Sequence, residues 1–251
     1  VGFLFAAVID DGKSILIQSI RVRKEYEGRG IYSRLREFCL KTISHSSGRM
    51  ALVVYTPDNY KKLLKTSAKL IFERGAMRLT TTKKTLQSLI VSRKLSADIE
   101  NVDAQYLEGL FVIDSASSHL FPEKRIVVNC VPYQLLSTNI KRILQGVFQE
   151  MIATAVPYRK HTSMISAVSF DQCEAGTLVN LDLFGDIENE NILFDHLNVQ
   201  LEKCINNCGE VIVLYITFKI QQNVDSLSRV LSKLSWKKLS DDVIHGFEIP
   251  I

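Results

Sequence analysis

The run Ser14–Phe38 reads SILIQSIRV, RKEYEGRG and IYSRLREF in succession. Its first part is predominantly apolar, the pattern of a mostly buried strand. Its second is a charged turn carrying Gly28 and Gly30. From Ile31 onward apolar residues return at Leu35, Phe38, Cys39 and Ile43, the three- and four-residue spacing of a helix. A strand that delivers a glycine turn into a helix N-terminus aims several unpaired backbone N–H groups at one point, with the positive end of the helix dipole behind them. Gly28 and Gly30 let the main chain approach an anion without side-chain interference, and Lys24, Arg29 and Arg34 supply positive charge nearby. A diphosphate suits such a cradle. On spacing alone, a tight turn with solvated charges fits as well. The pattern is not the dinucleotide fingerprint, because Ser33 occupies the third glycine position, and it is not a phosphate loop closing in Gly-Lys-Ser/Thr.

Ahead of this run, Val1–Ile9 reads as a buried strand entering the Asp10-Asp11-Gly12 turn; without an initiator Met before it, the chain reads as truncated at its front. After the first helix come a break at Ser46-Ser47-Gly48, a strand over Met50–Tyr55 and a capped turn at Thr56-Pro57-Asp58. A second helix is expected to carry Tyr60, Leu63, Leu64 and Leu70 and to end near Glu73-Arg74-Gly75, followed by a polar strand over Met77–Thr82. Residues 92–105 lack periodicity and read as a boundary between units 1–95 and 106–251. The second unit offers a strand at Arg125–Val131, a helix carrying Ile140 through Met151 and Ile152, and strands at Met164–Phe170 and Leu178–Phe184. A helix with Leu193, Leu197, Leu201 and Ile205 then precedes a strand apolar on both faces, Val211–Lys219, expected to be central in a sheet. A helix with Val224, Leu227, Val230, Leu231 and Leu234 and a strand at Val243–Ile249 close the chain.

The order strand, loop, helix, strand, helix, strand therefore occurs twice, over 14–82 and 178–249, as two copies of one fold, with Arg74-Gly75-Ala76 matching Ser235-Trp236-Lys237. In the second copy the loop Gly185–Asn191 is acidic and lacks the Gly-x-Gly pair, so a copy there has lost the anion site.

The whole chain of 251 residues carries a net charge of +4, with 46% hydrophobic residues, and no stretch approaches the roughly 18 apolar residues of a membrane span. The mean hides a division. Residues 1–97 hold 19 Lys and Arg against 7 Asp and Glu, a net +12, and residues 98–251 hold 12 against 20, a net −8. The basic half points to an anionic partner. It lacks interleaved aromatics or a nucleic-acid motif, so a nucleic-acid partner is not expected. Cysteines 39, 130, 173, 204 and 208 form an odd set without a zinc spacing, which points to reduced thiols, a cytoplasmic setting and no metal site. The five histidines show no spacing that pairs them into a site, and His45 reads as a helix-end residue.

Ile20-Arg21-Val22 followed by Glu25-Tyr26-Glu27-Gly28-Arg29-Gly30-Ile31 resembles the pyrophosphate loop of the GNAT acetyltransferases, and the segments Lys69–Ala76, Leu120-Phe121-Pro122 and Val131-Pro132-Tyr133 resemble the histidine N-acetyltransferase group. The resemblance implies an α/β fold: a mixed GNAT-type sheet flanked by helices, truncated at its front, then a second, degenerate GNAT-like domain. It implies acetyl transfer from acetyl-CoA to the amino group of a small amine or amino acid, histidine among them. Ile20, Arg21 and Val22 would meet the pantetheine arm between two splayed strands, and Glu27, Gly28, Arg29, Gly30 and Ile31 the pyrophosphate. Tyr60 would protonate the departing thiolate, with Tyr55 as another candidate. Two positions depart from the family pattern: Glu25 stands where Arg or Gln is usual, and Gln18 where Glu commonly serves as base. An amide does not take up a proton at neutral pH. The alternative is therefore a catalytically weak acyl-CoA-binding protein.

Overall fold

A computed structural model describes residues 2–43, 48–90, 98–113, 118–145, 150–155, 162–174, 176–220 and 224–251. The front elements are β1 (Gly2–Ile9), β2 (Ser14–Val22), α1 (Ile31–Thr42), β3 (Arg49–Val54), α2 (Pro57–Leu63), β4 (Lys69–Thr82) and α3 (Lys83–Leu89). The back elements are β5 (Ile99–Asn101), α4 (Ala104–Val112), β6 (Arg125–Val128), β7 (Val131–Gln134), α5 (Ser137–Leu144) and β8 (Glu150–Ala155). They continue with β9 (Thr162–Cys173), β10 (Gly176–Gly185), α6 (Glu190–Ile205), β11 (Val211–Lys219), α7 (Asp225–Lys233) and β12 (Lys237–Pro250).

Ten strands form one mixed sheet in the order β1-β2-β3-β12-β4-β11-β10-β9-β8-β5, with β6 and β7 in a separate hairpin. The repeat expected from sequence is present: β2-α1-β3-α2-β4 and β10-α6-β11-α7-β12 each hold one parallel pair, β2 with β3 and β10 with β11. The two copies are not separate sheets. β4 pairs antiparallel with β11 on one side and β12 on the other, and β12 pairs antiparallel with β3 and β4. Each half's last strand thus lies between strands of the other half.

Burial follows this layering. Leu193, Leu197 and Leu201 of α6 and Leu227, Val230 and Leu231 of α7 pack with Met77, Leu79, Leu181, Leu214 and Ile216. Across the sheet, Leu107 and Leu110 of α4 and Ile140 and Ile143 of α5 pack with Ile126, Met151, Ile165 and Phe184. In the front half Met50 and Leu52 pack with Leu40 and Leu63 from α1 and α2. A polar knot ties the β1–β2 turn to the back half: Asn139 Nδ2 and the Gln134 amide both donate to Asp10 Oδ1 (2.8 and 2.9 Å), and Arg125 bridges Asp10 and Glu248.

Several sequence expectations are corrected. β1 is the outermost strand, so with one neighbour it leaves Phe3 and Phe5 more than half exposed and buries Ile9 alone. The second helix stops at Leu63, where the Thr66 hydroxyl donates to the Leu63 carbonyl and accepts from the Ala68 amide. Leu70 and Glu73-Arg74-Gly75 belong to a continuous strand held by partners on both edges, so they do not match the turn at 235–237. The expected Arg125–Val131 strand is a hairpin that turns at Asn129 and Cys130, both at positive φ (49° and 63°). The expected long helix ends at Leu144, and Met151 and Ile152 lie on β8 between β5 and β9. The proposed boundary lies partly outside the described residues, and β5 at 99–101 already joins the back half's edge. His45, His161 and most of the Ser46-Ser47-Gly48 break also lie outside them.

Gly246 of β12 sits against the buried Phe72 ring of β4, where an added Cβ would come within 1.9 Å of a ring carbon. Gly246→Ala is expected to destabilise by about 1–3 kcal/mol through overpacking, and combination with Phe72→Leu is expected to recover part of that, read from urea unfolding midpoints. A second expectation concerns pH. His196 of α6 is fully buried, with Nδ1 2.8 Å from the Ser166 hydroxyl, and burial pushes its pKa down to about 4. The unfolded chain takes up this proton from about pH 6.5 downward while the folded one does not until about pH 4. The stability is therefore complete above the unfolded value and is lost on acidification through that window, by about 3 kcal/mol, and His196→Gln should flatten the slope.

Candidate functional site

β2 and β3 run parallel only where Ser14–Ile17 meets Arg49–Leu52. Beyond Ile17 the two strands separate among the described residues. Ser19, at φ 49°, marks a bulge, and the register against β1 shifts between Phe3 and Phe5. A bulge bends its strand, so the sequence builds the divergence locally. The edge of Gln18–Val22 that would face β3 is therefore open to an extended ligand. Gln18 and Ile20 are half-buried there, and the Arg21 guanidinium donates to the Ile20 carbonyl (2.9 Å).

After Val22 a single 3₁₀ turn, Lys24–Tyr26, leads through exposed Glu27 to the glycines. Gly28 and Gly30 adopt φ of 74° and 69°, and nothing lies within 4 Å of where a Cβ would stand on either. Gly30 is the N-cap of α1 and supplies no side-chain bond to the first turn. The N–H groups at Ile31 and beyond thus lack the usual capping oxygen, which leaves them suited to an anion. The Arg29 guanidinium lies 5.3 Å from the Tyr26 ring centroid, on the same exposed loop.

The equivalent places in the back half are filled. β10 and β11 pair from Thr177–Asp182 against Ile212–Thr217. At their divergence sits Arg74 of β4, whose Nε donates to Thr217 Oγ1 (3.0 Å) and whose Nη2 donates to the carbonyls of Leu183 (2.6 Å) and Thr217 (3.2 Å). Its guanidinium lies 4.6 Å from the Phe184 ring centroid. Asp182 accepts from Thr217 Oγ1 and from the Asn129 amide. Burial pushes the Asp182 carboxyl up and the Arg74 guanidinium down, with their mutual attraction opposing both shifts. At the next loop, a Cβ on Gly185 would meet the Ser163 carbonyl at 2.2 Å, and the Asn189 side chain accepts from the amides of Asn191 and Ile192. The acidic loop therefore presents a capped helix and no space, where the front loop presents an uncapped one.

Tyr60 lies in α2, whose N-cap Thr56 accepts from the Asn59 amide (3.4 Å). Its ring packs against His245 of β12 at 4.0 Å between centroids and against Phe247 at 5.8 Å. His245 Nδ1 stands 3.0 Å from Glu73 Oε1 of β4. Register explains the meeting, since His245 lies opposite Val54 of β3 on one side and Glu73 on the other. Sequence reading missed this cluster because Glu73 and His245 are 172 residues apart and no local spacing joins them. Glu73 also lines a cavity of about 230 Å³ with Phe72, Glu123 and Lys219. Tyr55 is grouped elsewhere: burial beside the Cys130 thiol and Tyr215 pushes its phenol above its usual range, and Cys130 itself rises to about 11. His196 serves the buried network with Ser166 and Gln200. None of the five cysteines, all among the described residues, is in a disulfide, and Cys208 Sγ donates to the Cys204 carbonyl.

The family model Histidine N-acetyltransferase, C-terminal, matches residues 94–219. The chain belongs to this family. Across 216 residues it is 22% identical to the Histidine N-acetyltransferase of Xenopus tropicalis, an alignment that takes in 81% of this chain and 66% of that protein, just under two thirds of its length. A solved tandem GNAT protein from the clavulanic acid biosynthesis pathway superposes with a TM-score of 0.54 at 12% identity, covering 99% of this chain and 79% of that one. The histidine N-acetyltransferase-like chain thus has the tandem GNAT fold its repeated elements imply.

Because Arg74 fills the second divergence from the inside, Arg74→Met should strand two carbonyls and Asp182 without their cation. The expected cost is about 3 kcal/mol or more in urea unfolding, with a rise in the pH at which Asp182 titrates.

Proposed function

We propose that this protein transfers acetyl from acetyl-CoA to the primary amine of a small molecule, the α-amino group of histidine foremost. The observation that carries the reading is the contrast between halves: an open divergence and an uncapped glycine-bearing helix start in front, against Arg74 and the Asn189 cap behind. The pantetheine arm would lie along Ile20–Val22 and hydrogen-bond as a strand would. The pyrophosphate would take the N–H groups at Gly28–Ile31, with Arg29 and the wider +12 of residues 1–97 adding attraction. Tyr60, at the open end of β3, would give its proton to the sulfur as the thioester breaks. The units we assign to these roles are 1–95 for acetyl-CoA and 106–251 for support. Membership of the histidine N-acetyltransferase family supports the amine acceptor. No described helix is long and apolar enough to cross a membrane.

Gln18 favours a second reading, a protein that binds acyl-CoA and turns it over weakly. Calorimetry separates the two readings. One acetyl-CoA per chain is expected, Gly30→Ala should weaken it about tenfold through the strained φ and loss of close approach, and thiol release should follow addition of histidine. Binding without thiol release across a panel of amino acids would favour the second reading, and two sites per chain would contradict the closure of the back half.

A further inference from the structure

We infer that His245, held by Glu73, is the proton acceptor for the amine in this reaction, so that the front half's active centre is completed by the last strand of the back half. The inference rests on the acetyltransferase reading above.

The geometry has three parts. First, position: β2 and β3 last pair at Ile17 and Leu52, Leu52 registers with Phe247, and His245 lies two residues further along β12, beside the opening and not inside either core. Second, orientation: residues paired across an antiparallel ladder share a face, so Leu52, Val54, Phe247, His245 and Glu73 share the face of the sheet on which α2 packs. That is why the imidazole reaches the Tyr60 ring. Third, chemistry: with Nδ1 engaged by a carboxylate oxygen at 3.0 Å, the neutral ring carries its proton on Nδ1 and presents Nε2 as an acceptor. The Glu73 carboxylate then stabilises the imidazolium that forms. The side chains are 14% and 37% exposed, so the pair is reachable by a small solute without being fully screened. The titratable groups facing His245 are Tyr60 from α2 and Glu73 from β4, β3 offering Val54 in register; Glu123 and Lys219 line the cavity with Glu73.

This supplies what Gln18 lacks. An ammonium loses one N–H proton to His245 Nε2. The imidazolium passes that proton to water, the freed lone pair forms the C–N bond at the acetyl carbonyl carbon, and the nitrogen then gives its second proton to the same Nε2. The C–S bond breaks, and the thiolate takes a proton from the Tyr60 hydroxyl. Imidazolium and phenolate return to their starting states by exchange with water, so one amine proton is released per thiol formed.

The test compares wild type, His245→Gln, Glu73→Gln and His245→Gly in acetyl-CoA calorimetry and in thiol release with histidine. The expected result is unchanged acetyl-CoA affinity, a kcat lower by about 100-fold or more in His245→Gln and about tenfold in Glu73→Gln, and partial recovery of His245→Gly with added imidazole. The pH profile of kcat/KM should differ between wild type and His245→Gln, because only wild type carries the imidazole acceptor. A strut between two already paired strands would show neither the changed profile nor the rescue. If His245→Gln turns over within threefold of wild type with the same profile, the inference is overturned and the acetyltransferase reading stands. If wild type binds acetyl-CoA and releases thiol with no amine, both fall. Should His245→Gln fail to bind acetyl-CoA for want of folding, the pH profile of Glu73→Gln decides: a profile like that of wild type overturns the inference.

Discussion

The backbone ladders of β4 and β12 hold this molecule in one piece, since β4 finds its partners in β11 and β12, and β12 finds its partners in β3 and β4. Removing either strand would leave an open edge in the middle of the sheet, with a row of unpaired N–H and C=O groups. The close fit of Gly246 on Phe72 and of Gly75 on Phe218 follows from this placement, because in each case a glycine on one exchanged strand faces an aromatic ring from its neighbour. Neither half can complete its own sheet. The net charges of opposite sign in the two halves therefore belong to one sheet and not to two separable bodies.

Much of this was legible in the sequence, and the misses share a cause. Val211–Lys219 was placed to the residue because a strand buried on both faces is apolar throughout, and the Ser14–Phe38 run gave strand, loop and helix because its signals are local. The stretch Lys69–Thr82 does not read locally as one strand. Its apolar residues at 70–72, 76, 77 and 79 with a central glycine imitate a helix end followed by a strand, and what makes it one strand is a pair of partners about 130 to 180 residues away. Met151 and Ile152 read as helix for the same reason, their strand being fixed by β9 and β5. At the site, the glycine loop was visible because its residues are consecutive. The Tyr60–His245–Glu73 cluster was not, because it exists only once β12 is laid between β3 and β4.

The exchange also explains why two similar halves differ in what they leave open. Each exchanged strand carries a side chain past the other half's parallel pair. In the back half the last parallel pair is Asp182 with Thr217; Thr217 registers with Ala76, and Arg74 lies two residues beyond. In front the last pair is Ile17 with Leu52; Leu52 registers with Phe247, and His245 lies two residues beyond. The positions correspond, but the side chains turn to opposite faces. Arg74 faces the side of the Asn129 turn, where Asp182 waits, and bonds the two carbonyls that diverging strands would otherwise offer a ligand. His245 faces the side of α2 and spends its bonding on Glu73, so that the strand edge at Gln18–Val22 stays free. A planar guanidinium with five donors can satisfy several carbonyls at once, and an imidazole with one free nitrogen cannot. The chemical difference between those two side chains is enough to close one cleft and leave its counterpart open.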